Sequence, residues 1–135
     1  MILGFDPGKD KCGIAVMGSD RKINYHQVVV SSVAIATIVK LCQQFPIELL
    51  VMGDRTTAKS WKANIEPNLP PSLKLVMVDE RNSSLEARDR YWQMYPPQGI
   101  TRLIPQGMRL PPRPIDDIVA ILLIERYLAR VRLSK

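Results

Sequence analysis

Apolar positions along this chain change their period several times, and each change marks an element. Met1–Asp6 and Gly13–Gly18 are short, mostly apolar runs separated by the Pro7–Lys11 turn, which predicts a strand hairpin. Ser19–Lys22 supplies a second turn and Ile23–Val30 a third strand, so the chain opens as an antiparallel meander. Ser31 and Ser32 are N-cap candidates for a helix to about Gln44. Its Val33, Ile35, Ala36, Ile38, Val39, Leu41 and Cys42 mostly face a core, and Pro46 stops it. Glu48–Gly53 is a continuous apolar run, as expected of a parallel strand covered on both faces. A short helix follows over Thr57–Glu66, ended by Pro67, Pro70 and Pro71.

Leu73–Val78 reads as another buried strand, closing on Asp79-Glu80-Arg81. Ser83-x-x-Glu86 fits a capping box and predicts a helix from Asn82 or Ser83 to about Met94, with Leu85 in the core. Tyr95–Arg113 is proline-rich and basic, with no clear period. It is read as a loop within the domain, because a further helix must pack on the same sheet. Pro114 suits that helix's start, and Ile118, Val119, Leu122 and Tyr127 of Ile115–Arg132 are placed against the sheet. The order βββαβαβα predicts an α/β fold: a mixed five-stranded sheet, an antiparallel meander plus two parallel strands, flanked by helices. Residues 1–135 are read as one domain.

Composition narrows the function classes. No apolar run approaches the roughly 20 residues of a membrane span, and no secretory signal is evident at the start. Cys12 and Cys42 lack metal-type spacing and read as reduced thiols of a cytoplasmic protein. His26 is the only histidine, which excludes His-rich zinc sites and argues against a Ser-His-Asp triad. Lys and Arg total 19 against 13 Asp and Glu, a net charge of +6, so a polyanionic partner is expected. The basic residues cluster, the last group being Arg126, Arg130, Arg132 and Lys135. Lys9, Lys11, Arg55, Arg81, Arg102, Arg109 and Arg113 are the candidate nucleic-acid contacts. Trp61 and Trp92 sit in helical patterns and are assigned to core or interface rather than base stacking.

Carboxylates carry the chemistry. Asp6 ends an apolar strand, where an ionised acid is costly unless a cation or several donors compensate it. The glycines around it are expected to admit a phosphodiester backbone. Glu80 follows a parallel strand, and Asp116 and Asp117 open the last helix, so all can reach one sheet edge. Converging acids repel, which raises a pKa or recruits divalent cations. Two Mg²⁺ or Mn²⁺ about 3.5–4 Å apart would neutralise them and activate water without a histidine base. Oxygen-only ligands suit those ions better than zinc. Asp116 and Asp117 point about 100° apart on a helix, so the ligand choice between them stays open. Alternatives remain for single acids: Glu80 could pair with Arg55 or Arg81, and Asp54 could be a solvated loop acid or a fourth ligand. Asp79 should point away from Glu80.

These motifs resemble the YqgF/RuvX family, the Holliday junction resolvase-like branch of the RNase H-like superfamily. The matching stretches are Gly4-Phe5-Asp6-Pro7-Gly8 with Gly13-Ile14-Ala15-Val16, Val51-Met52-Gly53, Asp79-Glu80-Arg81-Asn82-Ser83-Ser84-Leu85-Glu86-Ala87, and Ile115-Asp116-Asp117-Ile118-Val119-Ala120. The resemblance implies an RNase H-like fold and a metal-dependent endonuclease with Asp6, Glu80 and Asp116 as its acids. It further implies a role in junction resolution or in maturing the 5′ end of precursor 16S ribosomal RNA. One departure stands out: Gly53-Asp54-Arg55-Thr56-Thr57 replaces the family's usual neutral loop with charge. A non-catalytic nucleic-acid-binding or ribosome-assembly factor on the same fold is the alternative. An actin-like phosphotransfer domain is disfavoured by the absence of a second half within 135 residues. Junction resolution would also call for a homodimer.

Overall fold

A computed structural model describes residues 1–134; Lys135, counted above in the last basic cluster, lies outside the described residues. Strands β1 (Ile2–Asp6), β2 (Lys11–Met17) and β3 (Ile23–Val30) form the meander. Helix α1 (Ala34–Gln44), β4 (Leu49–Gly53), α2 (Ala58–Ile65), β5 (Lys74–Val78), α3 (Ser83–Met94) and α4 (Asp116–Ser134) follow. The sheet order is β3-β2-β1-β4-β5. β1–β2 and β2–β3 are antiparallel, whereas β1–β4 and β4–β5 are parallel. Phe5 pairs with Met52 and Met52 with Met77, so the carboxyl ends of three parallel strands lie in one row. No helix among the described residues is long and apolar enough to cross a membrane.

Strand alternation divides the core into two layers. Leu3, Phe5, Cys12, Ile14, Val16, Leu50 and Met52 pack with Ala34, Ile38 and Leu41 of α1 and with Ala58 and Ile65 of α2. Trp61 meets Phe5 edge-on, with ring centroids 5.3 Å apart. Ala15, Met17, Val51 and Val78 face the other way, onto Ala87 and Tyr91 of α3 and the apolar face of α4. Asp6 is two residues from Gly4 and one from Phe5, so the same alternation turns it toward α4.

Several local expectations are corrected. Ser31–Val33 forms a 3₁₀ turn, and α1 starts at Ala34 without a side-chain cap. Ser31 instead donates its hydroxyl to the Gly8 carbonyl at 2.8 Å, tying the end of β3 to the first turn. The capping box also fails. Asn82 precedes α3 in the left-handed region (φ 59°), Ser83 is buried, and Glu86 pairs with Arg126. Leu85 is 59% exposed rather than core. It lies two positions from buried Ala87, about 200° round the helix. On α4, Leu122 is only half-buried, while Ile121, Leu123 and Ile124 are fully enclosed between the sheet and α3. The loop before α4 contains two 3₁₀ turns, Gly99–Leu103 and Gln106–Met108.

Candidate active site

Three glycines decide how closely the acidic elements approach. A Cβ on Gly4 would overlap the Ala120 carbonyl, and one on Gly13 would overlap the Asp116 carbonyl. The sheet is thus bare where α4 crosses β1 and β2, and the helix backbone settles directly on it. A Cβ on Gly53 would overlap the Glu80 side chain, which folds back over the end of β4. This corrects the expectation that the glycines admit a phosphodiester: α4 and Glu80 already occupy that space. Gly8 likewise serves its own turn, lying against the Lys11 carbonyl.

Asp6 is 2% exposed, and Glu80 is buried beside it. Asp6 Oδ1 and both Glu80 carboxylate oxygens are enclosed without a hydrogen-bond donor. The two acids face each other closely enough to bond only if one carries a proton. Asp6 is accordingly pushed up from 3.8 to about 8. Burial is the largest cause, followed by the hydrogen bond to Glu80 and the Glu80 charge; Arg55 opposes the shift, and Asp116 adds to it. Arg55 Nε lies 3.0 Å from Glu80 Oε2 as a charge partner from a half-exposed side chain. Its approach does not give either Glu80 oxygen an aligned hydrogen bond.

Asp116 is half-buried, and its carboxyl is also raised, chiefly by burial and then by the charge of Asp117. Its own backbone N–H, Arg55 and Lys11 oppose the rise. Lys11 and Arg55 therefore act on the same edge as Asp6, Glu80 and Asp116. Asp117 points elsewhere and is enclosed. Its Oδ2 meets His26 Nδ1 at 2.7 Å, and Oδ1 accepts Arg113 at 2.9 Å. Both oxygens of that candidate ligand are thus held by protein partners. Among the described residues, no three His, Cys, Asp or Glu side chains gather tightly enough to hold a metal ion. What the edge does offer a hard cation is the donor-free oxygens of Asp6 and Glu80, with Asp116 near enough to influence Asp6 by charge.

The remaining basic candidates separate into two groups. Lys9, Lys11, Arg81 and Arg102 are exposed. Arg109 is turned inward on its own loop, donating to the carbonyls of Thr101, Ile104 and Arg102. Arg113 pairs with Asp117 and lies over the rings of Tyr91 and Tyr95, 5.4 and 5.9 Å from their centroids. Arg109 and Arg113, read from sequence as phosphate contacts, thus hold the loop in shape.

Other residues that position the site were not legible in advance. Asp54 Oδ1 accepts the Glu80 N–H at 3.3 Å, and the Asp54 N–H donates to Val78 O, locking the two strand ends together. Arg126 reaches from α4 to the carbonyls of Asp79 and Arg81, both at 2.7 Å, and to Glu86. His26 joins Asp117 to the Tyr95 hydroxyl (3.3 Å). These are contacts between residues 24 to 91 positions apart, and no local spacing announces them.

No family model matches the chain, and no curated protein matches it in sequence. Among solved structures, RuvC of Thermus thermophilus superposes with a TM-score of 0.59. The match covers 99% of this chain and 96% of that one, at 12% sequence identity. The likeness shows the fold: an α/β, RNase H-like, RuvC-like mixed sheet flanked by helices.

Proposed function

We propose that this chain is a divalent-metal-dependent endonuclease acting on structured nucleic acid, of the YqgF/RuvX type that its motifs resemble. The observation that carries the reading is the buried Asp6–Glu80 pair, which leaves three carboxylate oxygens without a donor. Such a pair is costly in a protein that asks nothing of it. Asp6, Glu80 and Asp116 would hold Mg²⁺ or Mn²⁺, in a two-ion arrangement if Asp116 closes in. Asp117 is the weaker candidate, because His26 and Arg113 engage it. When bound, the metal would polarise a phosphodiester and lower the pKa of water.

The chain's own residues supply the rest. Gly53 leaves Glu80 room to lie over the sheet edge, and Asp54 fixes the backbone from which it projects. Arg55 offsets the Glu80 charge and is exposed enough to turn toward a phosphate. Lys9 and Lys11, on the turn beside Asp6, are exposed and extend the cationic surround. The proposed domain spans 1–135 and works in the cytoplasm; both described cysteines are free thiols.

The test replaces Asp6 by Asn and, separately, Glu80 by Gln. Cleavage of four-way DNA junctions and of precursor 16S ribosomal RNA is followed with Mg²⁺ and with Mn²⁺. Loss of cleavage in both variants with binding retained is the expected result. Cleavage persisting in both would overturn the assignment. A two-fold dimer in solution with activity on junctions favours resolution, whereas a monomer active on the RNA favours 5′-end maturation.

A further inference from the structure

The segment between Tyr95 and Ile115 combines two features that the acid site does not explain. Ile100, Leu103, Met108 and Leu110 are between 73% and 84% exposed. The segment is nevertheless tied down at many points. Arg109 donates to three of its carbonyls, Arg88 on α3 donates to Gly107 O at 3.1 Å, and Gln106 donates to Asp89 at 3.1 Å. Both ends are pinned as well. Tyr95 packs on Tyr91, and Arg113 lies over both rings while pairing with Asp117. The result is a braced strap that holds apolar side chains out in water and whose anchor, Arg113, lies three residues before Asp116. Exposed apolar groups on a braced support mark a contact surface.

Charge selects the occupant. Tyr95–Ile115 contains no Asp or Glu but contains Arg102, Arg109 and Arg113. Two copies of the strap placed face to face would bring like charges together, which disfavours self-association through this surface. Arg102 is exposed, and its side chain makes no hydrogen bond or ion pair among the described residues. A polyanion with accessible apolar faces fits both properties, and unstacked nucleobases flanked by phosphates are such a ligand.

Resting on the nucleic-acid reading above, we propose that the strap is a wedge for unstacked bases. Leu103 and Met108 insert at a branch point or bulge, and Arg102 takes an adjacent phosphate. Apolar side chains of this kind enter between base steps at an unstacking cost of a few kcal/mol per step, which is least where stacking is already broken. Continuous duplex exacts that cost in full, so the strap sets a preference for branched or bulged nucleic acid over duplex.

The test uses the full chain in EDTA, so that binding is separated from cleavage. The probes are a four-way DNA junction carrying 2-aminopurine at its branch point and a continuous duplex of equal length. The wild type is expected to bind the junction more tightly and to change the 2-aminopurine fluorescence. The double variant Leu103→Ser/Met108→Ser should lose about tenfold in junction affinity, with duplex affinity unchanged and no fluorescence change. Both side chains are exposed, so folding should survive, and a circular dichroism melt checks it. Arg102→Ala should weaken junction binding more than duplex binding and reduce the junction's salt dependence by about one phosphate contact. An unchanged junction-to-duplex ratio in the double variant would overturn the proposal. So would a variant whose only loss is of dimer in sedimentation or of binding to anionic phosphatidylserine vesicles. The cleavage reading fails separately, through activity that survives Asp6→Asn and Glu80→Gln.

Discussion

Replacing Asp6 by Asn should stabilise the metal-free protein, and by an amount that depends on pH. The unfolded chain ionises Asp6 near 3.8, while the folded chain holds the proton to about 8. Between these values the folded state binds more protons than the unfolded one, so stability falls as pH rises. At pH 7, the distance from 3.8 multiplied by about 1.36 kcal/mol per pH unit gives a cost of roughly 4 kcal/mol. Above pH 8 the loss levels off at roughly 6 kcal/mol. Asn removes the titration and can donate to Glu80, though its amide still carries a burial cost of about 1–3 kcal/mol. The net gain at pH 7 is then about 1–3 kcal/mol, or roughly 4–12 °C in Tm for a domain of this size.

Thermal melts in EDTA at pH 4.5, 7 and 8.5 measure it. The gain should be absent or slightly negative at pH 4.5 and grow toward pH 8.5. A variant less stable than wild type at pH 7, or a gain independent of pH, would refute the reasoning. Adding Mn²⁺ supplies a second arm. The ion binds the ionised pair in the folded state, so the wild type should gain about 2.7 kcal/mol at a concentration 100 times its Kd. The Asp6→Asn variant should gain much less.

Other outcomes follow from neighbouring contacts. Gly53→Ala, whose methyl would overlap Glu80, should displace that side chain and abolish the Mn²⁺-induced rise in Tm; an unaltered rise would separate Glu80 from the metal. Asp117→Asn should cost about 1–3 kcal/mol in urea unfolding, because it weakens the charge-assisted hydrogen bonds that the enclosed carboxylate accepts from the part-exposed Arg113 and His26. Asp116→Asn should leave stability unchanged or improve it, because burial already raises this carboxyl, while cleavage is lost. Arg55→Gln should destabilise the metal-free protein by about 1 kcal/mol, a small effect for a half-exposed cation. Saturating Mn²⁺ should close that gap, and a gap that persists would show that Arg55 acts through packing.

What the sequence revealed was whatever depends on short-range pattern. Short apolar runs bounded by turn residues placed β1, β2 and β4 within one or two residues, because a strand covered on both faces is apolar throughout. The sheet edge shared by Asp6 and Glu80 was legible too, since strands joined by a crossover helix run parallel. Caps were misread because their residues had better partners far away. Ser31 bonds Gly8, and Glu86 bonds Arg126. The roles of Arg109 and Arg113 were hidden for a similar reason. A cation in a proline-rich stretch looks solvated until the carbonyls and rings that it braces are folded around it.

The glycines show how one observation can support two opposite readings until the third dimension is known. A run of bare backbone beside a carboxylate suggests a place for a ligand. Here α4 takes that place, and its arrival makes Asp6 costly by sealing it from water against Glu80. The same approach carries Asp116 to the edge, since the carbonyl that touches Gly13 is its own. Glycine at 4 and 13 therefore buries one acid and delivers another in a single packing event. A ligand must then reach the acids from the rim of the sheet, where Lys11 and Arg55 stand, rather than through the glycine floor. That places the entry on the side where α4 begins and the braced strap ends.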